Sequence, residues 1–374
     1  MNKASGNRWC SFLLLFTANY AYATTAPSTV VVWGNAYGPT PTNLQQAAAI
    51  GAGWYHSFAR RGDGSAVLWG NNSFNKTNIP AGVTDIVAMA GGQDHTVVLH
   101  GNGTATAWGQ NFYGQCDLPN GVRNAVAVTA GTFNSYILTA NGYVYASGDN
   151  SYGQISQTIE LYNVISISSL TDHGLALRFN GAVVGWGQNS YGQTDIPPQA
   201  QNAIALAAGN GHSMVLRPDG TVMVWGNNSH GQTNVPPGVS NVVAIAAGFY
   251  HCLALRNDGA VVAWGWNNNQ QTSVPTGLSN VVTIAAGGYQ SIALTGSGFI
   301  APPVQIINYQ GSNGGISFQV STVRGKTYYS QYQDSLNDRW WIPSLPRLGD
   351  GSVRTFTELN ADRPERFFRV WQKP

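Results

Sequence analysis

Short apolar runs broken by turn signals recur along residues 30–300, and one unit shows their order. Val242-Val243-Ala244-Ile245-Ala246-Ala247-Gly248 reads as an apolar strand whose small final residues suit crowding near an axis. The chain turns through Phe249-Tyr250 into a second strand from His251 to Leu255. The Asp258-Gly259 hairpin then leads to a third, Val261-Val262-Ala263-Trp264. Asp-Gly and Asn-Gly mark two-residue hairpins because both central residues of a type I′ turn need positive φ. An Asn- and Gln-rich loop follows, and Gln271-Thr272-Ser273-Val274-Pro275 fits a short outer strand with proline at its exposed edge. Four short strands with evenly spaced turns describe one blade of a β-propeller.

Three markers set the period. A Trp-Gly pair ends the third strand at Trp33, Trp69, Trp108, Trp186, Trp225 and Trp264, with Ser147 once in the Trp place; the first spacing is 36 residues and the rest are 39. A Gly-x-x-His pattern puts His56, His95, His173, His212 and His251 in one slot, with Asn134 and Gln290 in the other two, all 39 apart. Gly64, Gly103, Gly142, Gly181, Gly220, Gly259 and Gly298 follow Asp, Asn or Ser at that same interval. Seven markers predict seven blades. The repeats open with a lone third-type strand, Val30-Val31-Val32-Trp33, and end with a first and second strand over 281–294. Those fragments complement each other, so the expectation is a ring closed by a shared N- and C-terminal blade, with no open sheet edge.

Composition sharpens this picture. Only 9% of residues are charged and the net charge is +2, which gives no electrostatic reason to expect nucleic acid or an anionic membrane. The 45 glycines and 12 tryptophans suit a rigid all-β body with many tight turns. Residues 301–374 hold 15 of the 34 charged residues, which marks a boundary near Pro302-Pro303. Alternating runs there, Ile316-Ser317-Phe318-Gln319-Val320 and Phe367-Phe368-Arg369-Val370, predict strands of a small β-sandwich-like domain of accessory or attachment type, with Trp340 and Trp341 as candidates for sugar contact.

At the other end, Lys3 and Arg8, the apolar Phe12-Leu13-Leu14-Leu15-Phe16 and Ala21-Tyr22-Ala23 read as a secretory signal over 1–23. The expected organisation is therefore signal peptide 1–23, seven-bladed propeller 24–300 and C-terminal β-domain 301–374, in a secreted or periplasmic monomer without a membrane span. Cys116 and Cys252 fall at different places in their repeats, so no disulfide is expected between them.

Catalysis finds little support. Ligands from separate blades could meet only around the axis, and the Asn and Gln in two of the seven slots are poor zinc ligands but good hydrogen-bonding replacements. The repeated histidine is expected to bond backbone in the inter-strand loop, with no metal and no cofactor. G-x-S-x-G, H-E-x-x-H and phosphate-loop motifs are missing, and Asp63, Asp219 and Asp258 are turn residues, so no catalytic residue is named.

Ala247-Gly248-Phe249-Tyr250-His251-Cys252-Leu253-Ala254-Leu255 and Trp225-Gly226-Asn227-Asn228-Ser229-His230-Gly231-Gln232 resemble the repeat of the regulator-of-chromosome-condensation family. The resemblance covers residues 30–300. Uniform short repeats with G-Q-T-x-V-P, as in Gly192-Gln193-Thr194-Asp195-Ile196-Pro197, are most similar to bacterial secreted propellers of the β-lactamase-inhibitor II type. That resemblance implies a non-enzymatic binding propeller whose aromatic loops contact a protein partner. It does not carry over nucleotide exchange on a small GTPase, because no basic nuclear tail and no long blade insertion accompany the repeats.

Variable positions point to the same loops. In an up-down-up blade, the loop before His and the loop after Trp-Gly emerge on one face. The pre-His loops carry Trp54, Tyr55, Phe133, Phe249, Tyr250 and Tyr289; the others carry Tyr37, Phe74, Phe112, Tyr113, Tyr152, Tyr191 and Trp266. Aromatics among Asn, Gln and Ser bury large area at low entropic cost, as binding hot spots do. The recurring Tyr113, Tyr152 and Tyr191 are expected to cap blade junctions, and the variable Trp54, Phe249 and Trp266 to bind. An extracellular or periplasmic protein is the first candidate partner, a polysaccharide or cell-wall component the second, and a hydrolase activity the weakest reading.

Overall fold

The computed structural model describes residues 28–296 apart from 43, 179 and 180, together with the backbone of the strands after 305. The expected signal segment and Trp340-Trp341 lie outside the described residues. Six three-stranded antiparallel sheets follow one another over 47–70, 86–109, 125–148, 164–187, 205–226 and 242–265. The seventh is made of Val281–Gly287 and Gln290–Thr295, and its third strand is Thr29–Gly34, paired from Thr29↔Thr295 to Gly34↔Gln290. The first described strand of the chain thus completes the sheet of the last repeat.

The outer fourth strand does not form. After Trp264, local turns take up the backbone donors: Thr272 N–H goes to Asn267 Oδ1, Ser273 N–H to the Gln270 carbonyl and Val274 N–H to the Thr272 carbonyl. A segment whose donors are spent on turns, and which ends in proline, has no ladder to offer a neighbouring strand.

Apolar side chains of adjacent sheets meet between them, as where Leu253 and Leu255 of the sixth sheet pack with Trp33, Ile284 and Ala293 of the seventh. Burying such side chains contributes roughly 1.5–3 kcal/mol each. The glycine after each tryptophan is required by geometry. Gly109 has φ 112°, and a Cβ there would stand 2.5 Å from the Asp94 carbonyl oxygen.

A polar belt also ties sheet to sheet. His56, His95, His173 and His251 are fully buried, and the Nε2 of each lies 3.0 Å from a hydroxyl of the next sheet, on Thr96, Ser135, Ser213 and Ser291 respectively. His212 meets the Cys252 thiol at 3.4 Å, and Ser57 of the first sheet donates to Gln290 Oε1 of the seventh at 2.6 Å. The expected backbone partner, found for His95, His212 and His251, is thus joined by a hydroxyl or thiol across the seam, because the slot lies where two sheets abut. Asn134 breaks the series. Gly174 stands where the next sheet would offer a hydroxyl, and Asn134 Nδ2 donates instead to the Asp149 carbonyl. Cys116 and Cys252 are both free thiols.

Residues 302–374 group separately from the propeller repeats. Ile306–Ser312, Gly315–Ser321 and Val353–Leu359 form one antiparallel sheet. Thr327–Gln333 pairs with Phe367–Lys373 and with the short strands Ile342–Pro343 and Arg347–Leu348 in a second.

Candidate functional site

Seven equivalent hydrogen bonds bring the two loop sets together. The residue two places after each Trp or Ser147 donates its N–H to the carbonyl just before the His slot. The pairs are Asn35–Tyr289, Asn71–Tyr55, Gln110–Asp94, Asp149–Phe133, Gln188–Asp172, Asn227–Gly211 and Trp266–Tyr250, at 2.7–2.9 Å. Both loop types therefore lie at one end of every sheet, and the Asp-Gly and Asn-Gly hairpins at the other.

A buried glutamine then shapes each long loop. Gln115, Gln154, Gln193, Gln232 and Gln271 are fully buried, and the side-chain oxygen of each accepts the N–H of the residue two places earlier at 2.8–3.0 Å. Those earlier residues are Tyr113, Tyr152, Tyr191, His230 and Asn269. Pinning their backbone from below leaves their side chains on the solvent side. Lys76 occupies the equivalent place in the loop after Trp69. It is buried, with Nζ 2.8 Å from Asn71 Oδ1, 2.6 Å from Asp94 Oδ1, and 5.9 Å from the centre of the Tyr55 ring.

The aromatic residues fall into two populations. Phe74, Phe112, Tyr113, Tyr152 and Tyr191 are exposed, Phe112 to 76% and Tyr191 to 58%. Phe74 and Phe112 meet edge to face at 5.6 Å, and Tyr113 lies 4.6 Å from Phe133. The second population packs on itself: Trp54–Phe249 at 4.5 Å, Phe249–Tyr289 at 5.1 Å, Trp266–Tyr289 at 5.4 Å, Tyr250–Trp266 at 5.2 Å and Tyr37–Tyr55 at 5.1 Å. His230 stacks on Trp266 at 4.4 Å.

Trp54 reaches furthest. Its Nε1 donates to the Leu170 carbonyl beside the fourth sheet at 2.6 Å, while its ring meets Phe249 of the sixth. A side chain of the first sheet can touch both only by crossing the middle of the repeat array. Phe249 is 5% exposed, so its ring is not available as contact surface. Exposure divides the candidates: Tyr113, Tyr152 and Tyr191 are exposed, Trp54 and Trp266 are half-buried, and Phe249 is buried. The missing signal was the buried glutamine, whose spacing of two from each presented ring is visible in the sequence.

The titratable groups here are mostly silenced. Burial pulls His56, His173 and His251 down to about 3, and His95 and His212 to about 4, so the belt is neutral. Burial pushes the Tyr37, Tyr55 and Tyr289 phenols up. Among the described residues no group of three His, Cys, Asp or Glu side chains could hold a metal ion, and no helix is long and apolar enough to cross a membrane.

Comparison with known proteins places this architecture. The model of the regulator of chromosome condensation (RCC1) repeat matches residues 86–115, 125–154, 164–193, 203–232 and 242–271. No curated protein matches the sequence. The fold is similar to yeast RCC1 (Prp20) in its complex with Kap60, at TM-score 0.63 and 16% identity over 79% of this chain and 95% of that one. It is also similar to human WBSCR16, at 0.58 and 18% over 73% and 99%. The ectodomain of the Arabidopsis thaliana receptor kinase ACR4 gives 0.53 and 21% over 67% and 97%. Five of the seven repeats thus match the RCC1 repeat, and the all-β fold is similar to that of the RCC1 propellers.

Proposed function

We propose that this chain is a secreted, non-enzymatic binding protein, a closed seven-bladed disc that holds a protein partner against its loop end. The observation that carries the reading is the row of exposed rings, Phe74, Phe112, Tyr113, Tyr152 and Tyr191, on consecutive loops of one end. Soluble domains seldom leave several large rings exposed together unless the patch meets something. Tyr113, Tyr152 and Tyr191 each sit on a backbone fixed by a buried glutamine, so little further ordering of them is needed on binding. Asn and Gln around them supply hydrogen bonds without the desolvation cost of charge. Protein binding by the same fold supports the reading: Prp20 is bound by Kap60, and a Saccharomyces cerevisiae Prp20p structure is described with its binding to Gsp1p and histones.

The test is to capture partners from culture medium and cell envelope with the full chain, then measure affinity with a Phe112→Ala/Tyr152→Ala/Tyr191→Ala variant. The expected loss is more than about tenfold, since central aromatic anchors cost 2 kcal/mol or more each on truncation. Unchanged affinity for every captured protein would remove the basis for the site. Retention of the full chain on cell-wall polysaccharide, lost in the same variant, would move the reading to a carbohydrate module.

A further inference from the structure

The loop after Ser147 repeats the surroundings of Lys76 two repeats later, with the ammonium missing. Adding 78 to Tyr55, Asn71, Lys76 and Asp94 gives Phe133, Asp149, Gln154 and Asp172. In the earlier place, Nζ of Lys76 bridges Asn71 Oδ1 and Asp94 Oδ1 beside the Tyr55 ring. In the later one an aromatic ring and both oxygen-bearing positions persist, and Asn71 has become a second carboxylate. The residue in the lysine place, Gln154, donates to Asp149 Oδ2 at 3.2 Å. Two carboxylates face one setting that elsewhere in this chain encloses a cation.

No cation of the described residues compensates them. Among the described residues no ion pair reaches Asp149 or Asp172. Asp149 is held by Ser151 and Gln154 alone. Burial pushes the Asp172 carboxyl up, the nearby Thr132 hydroxyl opposes the rise, and Asp149 adds to it. Of the buried side chains around the pair, Asn134 Oδ1 has no hydrogen-bond partner, while the Thr132 hydroxyl bonds Asp172 and the Tyr136 hydroxyl bonds Trp186. Thr132 lies next to Asp172, and the Tyr136 hydroxyl is within electrostatic reach of both carboxylates. A buried unpaired acceptor beside two carboxylates favours an incoming cation.

Resting on the protein-binding reading above, we infer that Asp149 and Asp172, over the Phe133 ring, receive the ammonium of a lysine side chain from the bound partner. The position suits that role. Tyr113 lies against Phe133 at 4.6 Å and Tyr152 follows Asp149 by three residues, so the pair sits beside the exposed rings. The partner surface that fits is thus apolar, with a protruding lysine; arginine, whose planar fork differs from the tetrahedral donor that Lys76 exemplifies, is accepted less well.

The experiment uses the full chain and the peptide acetyl-Gly-Lys-Gly-amide, followed by NMR shifts of the Phe133 and Tyr152 rings, with acetyl-Gly-norleucine-Gly-amide and calcium chloride as separate probes. The lysine peptide is expected to shift both rings, the norleucine peptide to leave them unmoved, and Asp172→Asn to weaken the lysine peptide more than about tenfold. Gln154→Lys should supply the ammonium from within the chain and abolish peptide binding while the fold persists. Binding of the norleucine peptide, an undiminished response in Asp172→Asn, or a response to calcium alone would overturn the proposal. Partner capture separates the two readings: loss in the Phe112/Tyr152/Tyr191 variant with full retention in Asp172→Asn sinks the lysine pocket and leaves the binding face standing.

Discussion

Five buried histidines make this propeller sensitive to acid in a way that can be calculated. Burial pulls His56, His173 and His251 to about 3 and His95 and His212 to about 4, with the Lys76 ammonium adding to the effect at His56. In the unfolded chain each would titrate near the ordinary value of about 6.5. Between about pH 6.5 and pH 4 the unfolded chain therefore binds protons that the folded one refuses. Stability is full above pH 6.5 and falls as pH drops, by about 1.4 kcal/mol per unit for each histidine.

Together the five reach a slope of about 7 kcal/mol per unit, against a typical folding margin of 5–15 kcal/mol. Asp172, whose raised carboxyl favours proton uptake in the folded state, opposes this with a single proton. The perturbation is His173→Gln. Gln290 shows that glutamine in this slot can bond a seryl oxygen of the adjoining sheet, so the variant keeps a link to Ser213 and loses the proton. Urea unfolding followed by tryptophan fluorescence from pH 8 to pH 4.5 should give a slope in the variant shallower by about 1.4 kcal/mol per unit. A wild-type stability that stays flat from pH 6.5 to 4.5, or a variant with the wild-type slope, would refute the reasoning.

Two further outcomes follow from the loop end. Trp54→Ala removes the hydrogen bond to Leu170 and the Phe249 contact at the centre, and should cost about 2–4 kcal/mol in urea unfolding while leaving partner affinity within about twofold. Lys76→Met leaves Asp94 buried without its cation and should cost about 3–5 kcal/mol by the same assay; adding Asp94→Asn to it should restore part of that loss.

The sequence carried the repeat because its markers are local: a turn dipeptide, a Trp-Gly pair and a histidine each answer to nearby backbone geometry. Gly109 shows why. Positive φ and the Asp94 carbonyl leave no room for a side chain, so the residue type announces the conformation. Longer relations were less legible. The hydroxyl partners of the histidines lie 40 residues on, in the next sheet, and only the 39-residue period plus one would have paired them. That Trp54 spans the centre to Leu170 depends on which loop reaches the axis, which no local pattern records. Variability marked rings that pack on one another, whereas the buried glutamines fix the backbone beneath the exposed Tyr113, Tyr152 and Tyr191. The outer strand was misread because a Gln-Thr-Ser-Val-Pro segment has strand composition, yet its donors are consumed by turns.

The proposed binding face is tested most directly by oxidative footprinting of the full chain, alone and with a captured partner. Protection should fall on Phe74, Phe112, Tyr113, Tyr152 and Tyr191, while Trp54 and Phe249 react little in either state and Tyr145 reacts equally in both. Strong protection of Tyr145, with the five loop-end rings still labelled at their free rates, would place the partner elsewhere and contradict the account.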